Sequence, residues 1–400
     1  MKNYNQYSDD IRRYNEEHGT DIFIEYKDPN TTEERKAEIV KWMFDLIRGR
    51  NEVPMVTYDD MEIYQAFASL SEVNSEEVYH DGAYWFNNTA ITVLSSFFPE
   101  MLDVSKKRRP SVNKLFYQDW FLRRLIRKTL LYCRSEVSLS TMFSFTGAGY
   151  CSNFRPACAK AIYELFGKKK DCRVFDSSSG YGARLLGAHF AENVIEYLGV
   201  DPNTADSCSK EIEFLKKWCD TNTKETVLKM GSEDFTIESF PQYKEYFDLY
   251  FTSPPYFDTE MYSDDETQSY KKFPTYAQWV KGFYRSTIYN ACDVLKKDGI
   301  FIINIFEKIP KIKEMTKLIL ADCGYYVFKE DKYLLVTMSG TTYDEDRNVI
   351  IREKKTGERF EPVWYAKHYS QLLDEGVITK EQAESYKKRA IRCFKDDINS

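Results

Sequence analysis

Short apolar runs alternate with helix-like segments throughout the second half of the chain. Each run is bounded by Gly, Ser or charged residues, and between most runs apolar side chains recur every three or four positions, as on one face of a helix. Parallel strands need a crossover between them, and a helix packed on the sheet usually provides it. The pattern therefore predicts an α/β fold with a doubly wound, Rossmann-like, mainly parallel sheet.

The predicted strands belong to one domain, over residues 141–370. They are, in order, CRVFD, IEYLGVD, ETVLKM, YFDLYF, GIFIINI, GYYVFKEDKYLLVTM and RFEPVWYAKH. The last two follow each other without a helix, which predicts an antiparallel strand at the edge of the sheet. Within this domain, the charged segment 341–359 is typical of a hairpin insertion. After the domain, residues 371–400 are predicted to form a C-terminal helix. Thr379 and Gln382 have the spacing of a capping box at its start.

Residues 1–140 have a different pattern, polar and aromatic with helical spacing. The segments 34–48 and 117–133 both place apolar side chains on one helical face. We therefore predict a helical N-terminal domain over 1–140.

Composition narrows the class of protein. Of the 400 residues, 42% are hydrophobic and 30% charged, which is typical of a globular chain. Nine cysteines occur without a C-x-x-C pair, and only four histidines are present, so we expect neither a disulfide framework nor a metal site. The first residues, MKNYNQYSDD, lack the apolar core of a signal peptide, and no apolar run is long enough to cross a membrane. We expect a soluble, cytoplasmic protein.

The net charge of −7 is not that of a protein that coats nucleic acid, so any such contact would come from a local basic patch. Two clusters are candidates: Lys106, Lys107, Arg108 and Arg109, and Arg123, Arg124, Arg127 and Lys128. A solvated basic face is an equal alternative for each cluster.

A turn of small residues, DSSSGYG, joins the first predicted strand to its helix. Backbone N–H groups in such a turn can approach a ligand at a helix N-terminus, and Gly180 and Gly182 are the expected close-approach positions. Asp201 ends the second strand about twenty residues later, where a carboxylate can accept hydrogen bonds from ribose hydroxyls. After the third strand, Asp234 could accept a hydrogen bond from an adenine amino group, and Phe235 could cover the ring. Together, these positions favour a nucleoside cofactor over a dinucleotide or a simple tight turn.

The fourth strand ends in Ser253, Pro254, Pro255 and Tyr256. An amine that attacks a methyl group must be held by acceptors, and the Ser253 hydroxyl and the Pro254 carbonyl are suitable because proline stiffens the backbone and removes a competing donor. Tyr256 can stack on a base turned out of a duplex. These four residues are the predicted catalytic motif.

Here the sequence resembles the DNA amino-methyltransferases, whose catalytic motif has the form (D/N/S)-P-P-(Y/F/W). The SPPY form is typical of the cytosine-N4 enzymes, and some adenine-N6 enzymes share it. The resemblance extends from about 140 to 366 and includes phage and bacterial members. It implies S-adenosylmethionine as the cofactor, a DNA base as the substrate, with N4 of cytosine favoured over N6 of adenine, and a role in DNA modification or restriction-modification in a bacterial host or phage-infected cell.

The resemblance also assigns roles to further residues. Asp176 matches the acid of the cofactor turn, and Asn153 and Phe154 match a segment that covers the methionine moiety of the cofactor. Two departures occur: Ser177 replaces a usual Pro, and Ala183 replaces a common second glycine.

Two alternatives remain open at this point. The first is an RNA or protein-glutamine methyltransferase, because a P-P-Y motif can hold any planar amine or amide. The departures at Ser177 and Ala183 motivate the other alternative, a non-catalytic binding protein on a methyltransferase scaffold.

Overall fold

The computed structural model describes most of the chain. The described residues are 4–106, 109–133, 135, 148–149, 153–219, 221–306, 309, 311–338, 342–343, 349–350, 357–385 and 388. They fall into two compact units. The first is drawn from Met1–Ala66, Ser95–Ser152 and Asp258–Asp265, and the second from Phe67–Leu94, Asn153–Phe257 and Glu266–Ser400.

The helices alternate with the strands of the sheet in the second unit and predominate in the first. In chain order, the α-helices are α1 (Ser8–His18), α2 (Ile22–Glu25), α3 (Glu33–Arg50), α4 (Asp60–Ala68), α5 (Ser75–Val78), α6 (Val112–Phe116), α7 (Asp119–Tyr132), α8 (Pro156–Phe166), α9 (Ala183–His189), α10 (Ala205–Trp218), α11 (Ser269–Lys272), α12 (Tyr276–Trp279), α13 (Arg285–Val294), α14 (Ile312–Asp322) and α15 (Tyr369–Asp374). Short 3₁₀ turns lie at Val93–Ser96, Pro99–Asp103, Ser232–Asp234 and Pro241–Tyr243, and a π-helical turn at Val280–Tyr284 joins α12 to α13.

The strands vary from two-residue pairs to long central strands. They are β1 (Tyr4–Asn5), β2 (Val56–Thr57), β3 (Tyr79–His80), β4 (Ala83–Tyr84), β5 (Ser105–Lys106), β6 (Cys172–Asp176), β7 (Val194–Val200), β8 (Lys224–Leu228), β9 (Phe247–Thr252), β10 (Glu260–Met261), β11 (Leu295–Asn304), β12 (Tyr325–Met338), β13 (Thr342–Tyr343), β14 (Val349–Ile350) and β15 (Gly357–His368).

The second unit is built on one large sheet. Over the described residues it has nine strands in the order β3-β4-β12-β15-β11-β9-β6-β7-β8. The strands β8, β7, β6, β9 and β11 are parallel to their neighbours in that run. All six residues of β9 are buried, as expected for a central strand covered on both faces. The predicted α/β fold with a doubly wound, Rossmann-like, mainly parallel sheet is confirmed.

The antiparallel strand occupies a different place from the one expected. β15 lies inside the sheet, antiparallel to both β11 and β12, because the chain turns back after β12 and pairs along almost its whole length. The edge is formed by the short β3–β4 hairpin, which pairs with the outer side of β12. Residues 67–94 belong to the unit that contains the sheet.

The first unit is mainly helical. α3 covers the predicted segment 34–48, and α7 covers most of 117–133. α3 begins where the Thr32 hydroxyl accepts a hydrogen bond from the backbone of Arg35. The apolar faces of both helices are buried in one core.

Two further segments are described in part. β13 pairs with β14 inside 341–359, most of which lies outside the described residues. Residues 380–385 are helical, and a capping box lies at the start of this helix. The backbone N–H of Thr379 donates to the Gln382 side chain at 2.8 Å, and the backbone N–H of Gln382 donates to the Thr379 hydroxyl at 3.2 Å. A turn separates this helix from α15.

Candidate functional site

The sheet has a topological switch point between β6 and β9. Strands β7 and β8 continue it beyond β6, whereas β11 continues it beyond β9. In open α/β sheets, ligands bind outside the carboxyl ends of the strands at such a point. Two predicted motifs begin there: the glycine turn (176–182) follows β6, and the SPPY loop (253–256) follows β9. The structure thus brings both motifs together at the carboxyl ends of two adjacent central strands.

Asp176 joins the two strand ends. Its fully buried carboxylate forms an ion pair with Arg184, at 2.7 Å to the guanidinium Nε. It also accepts hydrogen bonds from the hydroxyls of Tyr197 on β7, at 2.7 Å, and Thr252 on β9, at 3.0 Å. All of these contacts are within the protein, so Asp176 holds the turn in place from below and does not face the crevice.

The glycine turn needs its glycines for their backbone conformation. Gly180 and Gly182 have φ angles of 58° and 71°, in the left-handed region that favours glycine, and Gly182 precedes α9. A Cβ on Gly180 would make ordinary van der Waals contacts, at 3.8 Å from the Ser178 carbonyl oxygen and 3.9 Å from the Arg184 guanidinium, so the positive φ and not crowding is what favours glycine here. At the departures from the family pattern, the Ser177 hydroxyl bonds to the Tyr250 hydroxyl at 2.8 Å, and Ala183 is buried in α9. Both small residues fit the turn.

Asp201 ties the end of β7 to the glycine turn. One carboxylate oxygen accepts from the backbone N–H groups of Asn203 and Thr204, at 2.9 and 3.0 Å, and the other from that of Gly180, at 3.0 Å. Burial raises the pKa of the Asp201 carboxyl, and these three donors oppose the shift. The second oxygen keeps a lone pair for another donor.

Beside Asp201 lies a buried donor whose partner is missing. Among the described residues, the side-chain nitrogen of Asn203 has no hydrogen-bond acceptor. A buried amide N–H that is left unpaired costs free energy. This donor and the spare lone pair on Asp201 together fit a polar ligand such as a nucleoside.

The residues after β8 have separate environments. The Asp234 side chain is 59% exposed and pairs with Lys272 at 2.9 Å. The ring of Phe235 is fully buried, where it stacks on Phe175 and Phe240 with centroids 4.8 and 4.7 Å away. Phe235 is therefore part of the hydrophobic core, whereas the side chain of Asp234 reaches the surface.

Asn153 and Phe154 lie against the glycine turn and the sheet. The Asn153 side chain donates to the carbonyl of Tyr181 at 2.8 Å. Phe154 stacks on Tyr333, with centroids 4.3 Å apart, and packs edge-on against Phe251. This segment is therefore anchored next to the glycine turn.

The SPPY loop is held by one residue of the neighbouring strand, Asn304 at the end of β11. Ser253 donates its hydroxyl hydrogen to the Asn304 side-chain oxygen at 3.1 Å, and Tyr256 donates to the Asn304 backbone carbonyl at 2.5 Å. Burial raises the pKa of the Tyr256 hydroxyl. Pro254 is buried, and Pro255 is half-buried beside it. Sequence reasoning missed Asn304, although a polar residue inside the apolar run GIFIINI was a visible signal.

The residue after the loop is in an unusual conformation. Phe257 has a φ of 50°, which is rare for a bulky residue and costs about 1–3 kcal/mol. Its ring packs near Tyr276 and Trp279, next to the π-helical turn. Such outliers cluster at functional sites, so the strain supports a functional role for this loop.

The basic clusters belong to the first unit. Lys106 pairs with Glu260 at 2.9 Å, and Arg109 is exposed, whereas Lys107 and Arg108 lie outside the described residues. On α7, the Arg123 guanidinium lies 3.8 Å from the ring centroid of Phe44, and Lys128 is half-buried. Arg124 and Arg127 are exposed.

The described residues contain neither a metal-binding cluster nor a membrane-spanning helix. No cluster of three or more His, Cys, Asp or Glu side chains there has an arrangement that could hold a metal ion. In the same part of the chain, no helix combines the length and apolar character needed to cross a membrane.

No protein-family model matches the chain, and no curated protein matches its sequence. Among solved structures, it is similar to a SAM-dependent O-methyltransferase from Thermotoga maritima, with 11% identity, coverage of 57% of this chain and 70% of that one, and a TM-score of 0.35. It is also similar to magnesium protoporphyrin IX methyltransferase from Synechocystis with bound SAM (10% identity, 50% and 71% coverage, TM-score 0.29). A third is a TehB-like SAM-dependent methyltransferase from Corynebacterium glutamicum (10% identity, 57% and 93% coverage, TM-score 0.32). Similarity this low assigns neither an activity nor a substrate to the chain.

Proposed function

We propose that this protein is an S-adenosylmethionine-dependent methyltransferase that modifies an exocyclic amino group of a DNA base, with N4 of cytosine favoured over N6 of adenine. One observation carries the proposal: the SPPY loop and the glycine turn leave adjacent parallel strands at the switch point of the sheet. A methyl donor held at the turn is then next to acceptors that hold an amine.

The cofactor site lies over the glycine turn. Asp201 accepts a hydrogen bond from a ribose hydroxyl through its spare lone pair, and the unpaired donor of Asn203 gains an acceptor on the ligand. The backbone at Gly180 and Gly182 carries no side chain, which allows close approach, and Asn153 with Phe154 borders the methionine end. Asp234 accepts a hydrogen bond from the adenine amino group, and the buried Phe235 ring holds the loop that carries Asp234. S-adenosylmethionine supplies an electrophilic methyl group on a sulfonium.

The SPPY loop holds the acceptor base. The Ser253 hydroxyl oxygen and the Pro254 carbonyl accept the two amino hydrogens, which directs the nitrogen lone pair at the methyl group. The half-buried Tyr256 ring stacks on the base, which leaves the duplex to reach the site. No strong base is needed, because the amino proton becomes acidic once the nitrogen carries the new methyl group.

Contacts with the DNA backbone come from the first unit. Arg124 and Arg127 on α7 and Arg109 present exposed guanidinium groups that bind phosphates. Because the net charge of the chain is −7, such local contacts supply the electrostatic attraction.

Calorimetry tests the cofactor half of this proposal. The wild-type protein is expected to bind S-adenosylmethionine, and Asp201→Ala to bind it at least tenfold more weakly, since about 1.5–3 kcal/mol is typical of a hydrogen bond to a charged group. Asp206→Ala, a change at an exposed carboxylate on α10, is the control and should bind like the wild type. A wild-type protein without measurable affinity would reject the proposal.

Label transfer tests the substrate half. Methyl-tritiated S-adenosylmethionine is offered separately with duplex DNA, RNA and a glutamine-containing peptide. The proposal requires label on DNA, while label on RNA or peptide alone would replace the substrate and keep the reaction class.

A further inference from the structure

Asn304 contacts both polar groups of the SPPY loop and is almost completely buried at the end of β11. Its side-chain nitrogen donates to the carbonyl of Pro362 on β15 at 3.3 Å. Its side-chain oxygen accepts from Ser253, and its backbone carbonyl accepts from Tyr256. The position of Asn304 follows from the strand order, because β11 lies between β9 and β15.

These contacts fix the direction of every hydrogen bond. A carbonyl oxygen only accepts, so the amide nitrogen of Asn304, and not its oxygen, must face Pro362. The amide oxygen must then face Ser253. An amide oxygen also only accepts, and the Tyr256 hydroxyl, which contacts Ser253 as well, has already given its hydrogen to the Asn304 carbonyl. Neither neighbour can therefore donate to Ser253, and the Ser253 hydroxyl donates its single hydrogen to the Asn304 side chain.

The consequence concerns the free side of Ser253. With its hydrogen committed to Asn304, the Ser253 oxygen presents only lone pairs to anything that binds in the crevice. It can accept from an N–H group but cannot donate to a carbonyl or ring nitrogen. An unanchored hydroxyl would rotate between these roles.

We infer that Asn304 is a positioning residue that makes Ser253 an obligatory acceptor and anchors the Tyr256 ring, and so restricts the reacting group to an amine. This inference rests on the proposed function. The amine selectivity therefore comes from a residue outside the motif. The two acceptors of the loop match the two hydrogens of an amino group, whereas a hydroxyl has only one.

Three variants separate positioning from general stability. Asn304→Leu removes both side-chain bonds but keeps the backbone carbonyl that accepts from Tyr256. Asn304→Asp keeps an acceptor for Ser253 and, while the carboxyl is neutral, a donor for Pro362. Asn193→Leu is the matched control, because Asn193 is also buried and donates to two carbonyls, at the opposite end of the sheet.

The readouts are kcat and KM for label transfer from S-adenosylmethionine to mixed-sequence duplex DNA, and cofactor affinity by calorimetry. Asn304→Leu should lose about 100-fold in kcat, as expected when a reacting group is misplaced by about 1 Å, with cofactor affinity unchanged. Asn193→Leu should lower the melting temperature while leaving kcat within about twofold of the wild type.

A double variant and a pH profile complete the test. Added to Ser253→Ala, Asn304→Leu should lower kcat no further, because Asn304 acts through Ser253; multiplied losses would overturn the inference. Asn304→Asp should regain activity at low pH and lose it as the pH rises, because burial raises the pKa of the new carboxyl and its ionised form cannot donate to Pro362. A flat profile at wild-type level would also overturn it.

The two hypotheses fail differently. A wild-type protein that labels no DNA, RNA or peptide refutes the proposed function, and the role of Asn304 in transfer with it. An active wild-type protein whose kcat is unchanged in Asn304→Leu refutes the role of Asn304 alone.

Discussion

Replacement of Asp176 by Asn tests how the glycine turn is supported. The change is nearly isosteric, but one carboxylate oxygen becomes an NH₂ group and the negative charge is lost. One oxygen of Asp176 accepts from Arg184 Nε and Tyr197, and the other accepts from Thr252, Ser178 and Arg184 Nη2. Whichever way the amide turns, its nitrogen therefore faces at least two donors.

The cost can be estimated in two ways. Two hydrogen bonds to a charged group are lost, at about 1.5–3 kcal/mol each, which gives about 3–6 kcal/mol. Arg184 is only 5% exposed, and removal of the partner of a buried charge typically costs about 3–5 kcal/mol. Both estimates predict that Asp176→Asn lowers the free energy of unfolding by about 3–5 kcal/mol.

Urea unfolding, followed by circular dichroism, measures this quantity. The control is Asp206→Asn, whose ion pair with Lys229 is solvent-exposed on both sides and should contribute less than about 1 kcal/mol. The double change Asp176→Leu with Arg184→Met should recover part of the loss, because no unpaired charge remains. If Asp176→Asn and Asp206→Asn lowered the free energy of unfolding equally, the buried ion pair would not support the turn as described.

Three other predictions concern pH, backbone conformation and charge. Glu211 is fully buried, and burial holds its pKa well above the usual value of 4.5, so its contribution to stability is present below pH 4.5 and is lost as the pH rises through its raised pKa. Glu211→Gln should therefore flatten the melting temperature against pH and raise it on the alkaline side; parallel curves for the two proteins would contradict this. Gly180→Ala should lower the free energy of unfolding in urea by only about 1–2 kcal/mol, because Gly180 has a positive φ. Gly199→Ala should lower it more, because the new Cβ would lie 2.1 Å from a neighbouring hydroxyl oxygen. Equal losses in the two variants would contradict this. The double change Arg124→Ala with Arg127→Ala should weaken duplex DNA binding and reduce the slope of log affinity against log salt by up to about two, as measured by fluorescence anisotropy; an unchanged slope would dismiss this patch.

The main strands of the sheet and their mainly parallel arrangement could be predicted from the sequence, because the strands alternate regularly with helices. The predicted strand YFDLYF became β9, and the predicted strand CRVFD became β6. The hairpin β3–β4 could not be predicted, because two-residue strands have no periodicity of their own and pair only because β12 offers an open side.

The site could be predicted only as far as local motifs reach. Gly180 and Gly182 were found because a strand–turn–helix junction is a local feature. The role of Asp176 depends on Tyr197 and Thr252, which lie on two other strands, so its sequence neighbours did not reveal that its carboxylate is used inside the protein. Asn304 was missed for the same reason, since lateral neighbours in a sheet follow from strand order and not from distance along the chain.

Methyl transfer to a defined atom tests the central claim most directly. Duplex DNA of mixed sequence is incubated with the protein and methyl-tritiated S-adenosylmethionine, digested to nucleosides and analysed by mass spectrometry, with Tyr256→Ala as the comparison. We expect label on N4-methylcytosine, or on N6-methyladenine, and its loss in Tyr256→Ala. Cofactor binding without label on any amino group of DNA would contradict the account.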